Sequence, residues 1–212
     1  MSLPSLITFD RNQRHLNETE KHLASSVFKD TLPGWWRIYI SDGLGYDDRP
    51  YTWEHLSFFY FLHVGPTMYP DLSLTTVLSG DEDRSRYRDV LIHELTHVWQ
   101  YYNGYWVAPR SFYAQEIGKG YHYTLDPKKD CWNDFNVEQQ ASIVEHWFSS
   151  GMSEENDRYP FIDMIIRGWN AGETKTLVVD KLAATGKLAA PADMTVQELR
   201  EFMKLMKTKE KK

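Results

Sequence analysis

Residues 87–102 read YRDVLIHELTHVWQYY and carry the most informative pattern of the chain. Apolar residues recur through it at three- and four-residue steps, which predicts an amphipathic helix. Asn103 and Gly104 follow and predict its end, because both residue types readily take the left-handed conformation just past a helix. His93 and His97 therefore lie one turn apart on the same face.

The spacing of these two histidines is that of a metal-ligand pair. Side chains at positions i and i+4 of a helix can reach one ion that lies about 2.0–2.1 Å from each nitrogen. Glu94 is rotated by about 100° from His93, so it flanks the ion, where a carboxylate can serve as a general base. The alternative is a buried helix whose histidines only satisfy hydrogen bonds in the core. We favour a ligand pair, His93 and His97, with Glu94 as the base.

Composition and charge limit the other functional classes. The chain has 212 residues, of which 42% are hydrophobic and 15% aromatic, enough for one sizeable core, and we expect a single domain over residues 1–212. The net charge of −6, with no basic stripe before the Lys-rich stretch at 204–212, argues against a nucleic-acid partner. No run is apolar and long enough to span a membrane, and no secretory signal is visible, so we expect a protein of the producing cell's cytoplasm.

Cys131 is the single cysteine of the chain. An internal disulfide and a cysteine-based zinc site are therefore both excluded. Any metal has to be held by histidines and carboxylates.

The coarse pattern predicts an α+β fold, with a small N-terminal sheet ahead of the helix at 87–102 and a mainly helical C-terminal half. Asn17 and Glu20 form a capping-box pattern for a first helix, and Thr195 with Glu198 forms another for the last one. The remaining expected elements are strands at 36–40, 58–64, 74–78 and 177–179, and helices at 111–117, 137–148 and 161–169.

A catalytic zinc needs three protein ligands and one open position, so the His93–His97 pair requires a third ligand from elsewhere in the chain. Glu138 is our choice, because it begins the second strongly periodic helix and the small residues Ala141 and Ser142 share its face. An exposed glutamate that only favours a helix start is the alternative. The other candidates for the third ligand are Glu145, His146, His122 and Asp134.

A developing oxyanion would also need a hydrogen-bond donor. The segment Tyr121-His122-Tyr123 offers three side chains that can donate to it. Equally, these could be loop residues with no catalytic function.

The segments 91–100, 121–123 and 136–141 resemble the gluzincin-type zinc metallopeptidases. More narrowly, they look like the bacterial metallopeptidase domains attached to type VI secretion spike and Rhs-like toxin proteins. The resemblance implies a zincin-like fold, in which the small sheet packs on the helix at 87–102. It also implies Zn²⁺ as cofactor with His93, His97 and Glu138 as its ligands, Glu94 as the base, and hydrolysis of peptide bonds. One departure is Ser142, which stands where many gluzincins have an Asp that orients a zinc-binding histidine, so that the partner of the histidines is unidentified.

The resemblance also implies a protein or peptide substrate, a secretion-system carrier or immunity protein as partner, and export by a contact-dependent route. The sequence leaves two other functions open. One is a non-catalytic zincin used as a binding or scaffold module, and the other is a zinc hydrolase acting on a non-peptide substrate.

Overall fold

A computed structural model describes residues 12–45, 48–76, 86–105, 107, 120–168 and 191–209, with side chains through residue 204. Its strands are β1 (Gln13–His15), β2 (Ile38–Ser41), β3 (Tyr51–His55) and β4 (Phe59–His63). Its α-helices are α1 (Glu18–Phe28), α2 (Gly65–Met68), α3 (Tyr87–Tyr102), α4 (Val137–Ser149), α5 (Tyr159–Phe161) and α6 (Val196–Lys209). Short 3₁₀ turns are Trp35–Arg37, Trp132–Asp134 and Pro191–Asp193, and the π-helical turn Ile162–Ile166 continues α5. The expected α+β class is confirmed.

The four strands form one sheet in the order β1-β2-β4-β3. Strands β2 and β4 are parallel, and each of the outer strands is antiparallel to its neighbour. Because side chains alternate across a strand, one face collects Ile38, Ile40, Tyr60 and Leu62, all of them buried. This face packs against α3.

The sheet differs from the expected one in the bounds of its strands and in containing two strands that the sequence did not predict, β1 and β3. The expected strand at 36–40 begins as a 3₁₀ turn and becomes extended only at Ile38, and the one at 74–78 is wrong, because residues 74–76 are coil and 77–78 lie outside the described residues. The structure has β3 instead. Its inward positions carry the polar residues Thr52 and Glu54, so the strand lacks the apolar alternation that reveals a half-buried strand.

Helix α3 is the centre of the described core. Every side chain from Asp89 to Gln100 is buried, since the sheet, α1 and α4 cover the helix from different sides. Helix α3 is therefore more buried than an amphipathic pattern, with one exposed face, predicts. Gly104, with φ of +82°, ends the helix as expected. Polar side chains within α3 consequently lie where each of them needs a partner.

Helix α4 packs along α3. Asn136 caps it, because its Oδ1 accepts the Gln139 N–H at 2.9 Å while Gln139 Oε1 accepts the Asn136 N–H at 3.1 Å. Ala141 and Ser142 are buried, as expected for a helix that approaches its neighbour closely. Glu138 lies in the first turn.

The C-terminal capping box is also confirmed. Thr195 N–H donates to Glu198 Oε2 at 3.0 Å, and Glu198 N–H donates to Thr195 Oγ1 at 3.3 Å. The helical turn expected at 161–169 corresponds to the end of α5 and the π-helical turn after it. The elements expected at 111–117 and 177–179 lie outside the described residues. One hydrophobic cluster runs from Leu16 to Met203, and a single domain over 1–212 stays a prediction.

A fully buried carboxylate ties the N-terminal elements together. Glu20 completes the α1 capping box with Asn17 and accepts two bonds from the Arg14 guanidinium, at 2.7 and 2.8 Å. Its Oε1 also accepts the Leu72 N–H at 2.8 Å. One side chain thus joins β1, α1 and the segment after α2.

Replacing Glu20 by Ala should lower the free energy of unfolding by about 3–5 kcal/mol, because the buried donors would lose their acceptor. Urea denaturation measures the change. Glu18→Ala is the matched control, since Glu18 lies in the same helical turn but is exposed and, among the residues that the structure describes, pairs only with Lys21. Equal effects of the two substitutions would contradict the assignment of Glu20 as a structural link.

Candidate metal centre

The structure brings His93, His97 and Glu138 together. The two histidines come from successive turns of α3 and the glutamate from the first turn of α4. Oε2 of Glu138 lies 3.3 Å from Nε2 of each histidine, and one ligand atom of each residue lies within 4.8 Å of the others. All three side chains are buried. This group could hold a metal ion.

The donor set and its spacing fit a tetrahedral ion. Atoms that lie about 2.0–2.2 Å from one tetrahedral metal are about 3.3–3.6 Å apart, close to the distances from Glu138 to the two histidines. Two imidazoles and one carboxylate leave a fourth position for a reacting molecule. The roles of the three residues as ligands, with Zn²⁺ as the ion, stay predictions.

A second carboxylate, that of Glu145, orients the His93 ring. Its Nδ1 lies 2.9 Å from Oε2 of Glu145, on the ring side opposite the nitrogen that faces Glu138. A proton on Nδ1 donated to Glu145 leaves the Nε2 lone pair free for a metal. Glu145 was a candidate for the third ligand. The structure puts it two turns along α4 from Glu138, where it orients His93.

His97 is fixed by an amide. Its Nδ1 lies 2.8 Å from Oε1 of Gln100, and Nε2 of Gln100 donates to Val137 O and to Gln140 Oε1 at 3.0 and 2.9 Å. Because these acceptors occupy the amide nitrogen, its oxygen has to face the histidine. Gln100 therefore links a candidate ligand to the start of the helix that carries Glu138. Sequence reasoning missed it, although it follows His97 by one helical turn.

The charges in this centre depend on one another. Burial disfavours the protonated form of His93, but hydrogen bonds to Glu138 and Glu145 outweigh it and raise its pKa well above the usual value. Burial likewise opposes ionisation of Glu138, yet the charge of His97 and the hydrogen bond from His93 hold its pKa well below the usual value. In the metal-free protein, protons on the histidines thus stabilise the cluster of His93, His97 and Glu138, and a bound cation would displace these protons.

Glu94 lies beside the three residues and contacts the sheet. Its Oε2 accepts a hydrogen bond of 2.7 Å from the Thr52 hydroxyl of β3. Burial raises the pKa of Glu94, while the charges of His97 and His93 and the Thr52 hydrogen bond oppose this rise. A desolvated carboxylate next to a metal group is a setting in which carboxylates act as bases.

The segment 121–123 sends its side chains in different directions. The Tyr121 ring lies 5.6 Å from the His93 ring, and burial together with the charges of Glu138 and Glu94 raises the pKa of its hydroxyl, which is hydrogen-bonded by Arg49. His122 is exposed, and its carbonyl accepts a bond from Gln139.

Tyr123 is engaged elsewhere. Its hydroxyl lies 2.9 Å from Nδ1 of His146 and accepts a bond of 2.6 Å from Nε of Arg158. Two of the other candidates for the third ligand have contacts of their own. His146 contacts Tyr123, and Asp134 accepts the Cys131 N–H. Of the three residues in the segment, Tyr121 is the one in contact with the candidate metal group.

Two comparisons with known proteins, one of sequences and one of solved structures, point to the same relative. No protein-family model matches the chain. The chain is 29% identical over 155 residues to the type VI secretion system spike protein VgrG2b of Pseudomonas aeruginosa, and this match covers 69% of the chain but 14% of the relative. The solved effector domain of VgrG2b from Pseudomonas aeruginosa is 27% identical with a TM-score of 0.51, and the match covers 71% of this chain and 81% of that domain.

The chain is thus similar to an effector domain and spans a small part of the full spike protein. Among the helices of the described residues, none is both long and apolar enough to cross a bilayer.

Glu138→Ala should remove most metal binding, whereas Glu145→Gln should weaken it by about 10–100-fold, because only the former removes a predicted ligand. Chelator competition with Zn²⁺ measures both affinities. Equal losses would contradict the distinct roles of the two carboxylates, and unchanged affinity in Glu138→Ala would exclude Glu138 as a ligand.

Proposed function

We propose that this chain is a zinc-dependent peptidase of the zincin type that acts as a type VI secretion effector. The observation that carries the proposal is the buried cluster of the His93, His97 and Glu138 side chains, with Glu94 beside it. The similarity to the effector domain of VgrG2b supports the effector role. The catalytic unit is a single domain over residues 1–212.

Zinc is the proposed ion because two imidazoles and one carboxylate with an open fourth position are the donor set of many catalytic zinc sites. When bound, Zn²⁺ would act as a Lewis acid on the scissile carbonyl and lower the pKa of water in the site. Glu138 would partly neutralise a bound ion, and the contacts of Glu145 and Gln100 with the Nδ1 atoms would keep both imidazoles oriented toward it.

Glu94 is the proposed general base. It takes a proton from the water that attacks the carbonyl carbon, and it then delivers this proton to the leaving nitrogen as the C–N bond breaks. Burying this carboxylate costs free energy, and a scaffold protein would have no use for it. This argues for catalysis over a non-catalytic zincin.

Tyr121 is the proposed donor to the oxyanion. Among the three candidates of the 121–123 segment, it is the one beside His93, whereas the Tyr123 hydroxyl already bonds with Arg158 and His146. A phenol kept protonated by burial can donate a hydrogen bond to developing negative charge.

The similarity to a type VI secretion effector domain supports the proposed export route. We place the chain in the cytoplasm of the producing cell, from which a contact-dependent secretion machine exports it together with a spike-type carrier. An immunity protein would then protect the producer, and the substrate is a protein or peptide.

Glu94→Gln should reduce peptide cleavage by about 10²–10⁴-fold, because the amide cannot accept the proton, while zinc binding is retained. The measurement is release of fluorescent fragments from labelled casein by the zinc-loaded protein, with zinc content determined in parallel. Wild type treated with 1,10-phenanthroline is the control. Full cleavage by zinc-loaded Glu94→Gln would exclude Glu94 as the base, and absence of chelator-sensitive cleavage by wild type, also with a peptide library, would favour a non-peptide substrate or a binding role.

Tyr121→Phe should lower kcat by about 10–10³-fold with little change in zinc content, because it removes one hydrogen bond to the oxyanion. Tyr123→Phe is the matched substitution and should leave the cleavage rate close to that of wild type. A larger loss for Tyr123→Phe would reverse the assignment of the two tyrosines.

A further inference from the structure

A single hydroxyl of the sheet reaches the carboxylate of Glu94. Thr52 lies on the inward face of β3, opposite Leu62 of β4, and is almost fully buried. Its Oγ1 lies 2.7 Å from Oε2 of Glu94 and 3.1 Å from the main-chain oxygen of the same residue. The shorter distance is typical of a hydroxyl that donates to a carboxylate.

The direction of this bond follows from the chemistry of the two groups. A hydroxyl has one proton, and an ionised carboxylate only accepts, so Thr52 donates and Oε2 of Glu94 receives. Within the parts of the chain that the structure describes, Thr52 is the side chain hydrogen-bonded to this carboxylate. The other oxygen, Oε1, is thereby left to accept a proton from water.

The presence of threonine at position 52 indicates that its hydroxyl has a role beyond packing. Valine has nearly the same shape as threonine and is favoured at a buried strand position, where a hydroxyl without a partner costs free energy. The hydroxyl of Thr52 is instead satisfied by Glu94, the predicted general base. Packing alone does not require a donor at this point.

We propose that Thr52 is a positioning residue for Glu94. It holds the carboxylate by Oε2 so that Oε1 takes the proton of the attacking water, and in this way it makes β3 part of the catalytic machinery. The role as a positioning residue rests on the proposed peptidase function, whereas the contact itself does not.

The first test uses the zinc-loaded full chain and labelled casein over a range of concentrations. Thr52→Val should lower kcat by about 10–100-fold, with KM within about twofold of wild type and zinc content unchanged. Thr52→Ser keeps the donor and should restore most of the rate. Thr31→Val is the matched control, because Thr31 is also buried but its hydroxyl bonds to the Phe28 carbonyl after α1.

The second test needs no activity. In the metal-free protein, Thr52→Val should lower the urea midpoint when Glu94 is present and change it much less in a Glu94→Ala background, because the two side chains share one hydrogen bond. Equal shifts in both backgrounds would overturn the contact, and wild-type kcat in Thr52→Val would overturn the positioning role. Coupled midpoints in a protein whose wild type cleaves neither casein nor a peptide library would overturn the proposed function, and the positioning role with it, while the contact stands.

Discussion

One carboxylate shared by two imidazoles is the contact on which the described core depends. Glu138 brings a negative charge into the interior, and the facing nitrogens of His93 and His97 lie at equal distances from one of its oxygens. Charged and polar groups are tolerated at such depth only when each has a partner. The packing of α4 against α3 is therefore constrained by charge as much as by apolar contact.

The other polar residues around this contact satisfy the same requirement. Glu145 and Gln100 partner the outer nitrogens of the two histidines, and Thr52 partners Glu94. These partners come from α4, α3 and β3 respectively, so the sheet and both helices each contribute a group. A site built in this way on regular elements is stiff before any ligand arrives.

Much of this could be predicted from local patterns, and the rest could not for identifiable reasons. The capping boxes at Asn17 and Thr195 and the end of α3 at Gly104 depend on neighbours in sequence, and each of them is confirmed. Glu138 could be selected because its helix is strongly periodic and carries small residues. Strand β3 could not be predicted, because Thr52 gives it a polar inward face.

The partners of the histidines were also beyond sequence reasoning. A glutamine or a glutamate near a predicted metal ligand has many possible contacts. Only the packing of α3 against α4 determines that Gln100 faces His97 and Glu145 faces His93. The orientation of the segment 121–123 depends in the same way on contacts with Arg158 and Gln139, which are distant in sequence.

The distribution of the three candidate ligands over two helices has a consequence for the proposed export of the protein. An unfolded chain keeps the histidine pair as neighbours but loses Glu138, which is brought to them only by tertiary structure. Any metal held by all three residues would be released on unfolding and would have to be acquired again at the destination. Delivery in the folded state would carry the ion along, whereas delivery in an unfolded state would make the activity depend on the free metal of the recipient compartment.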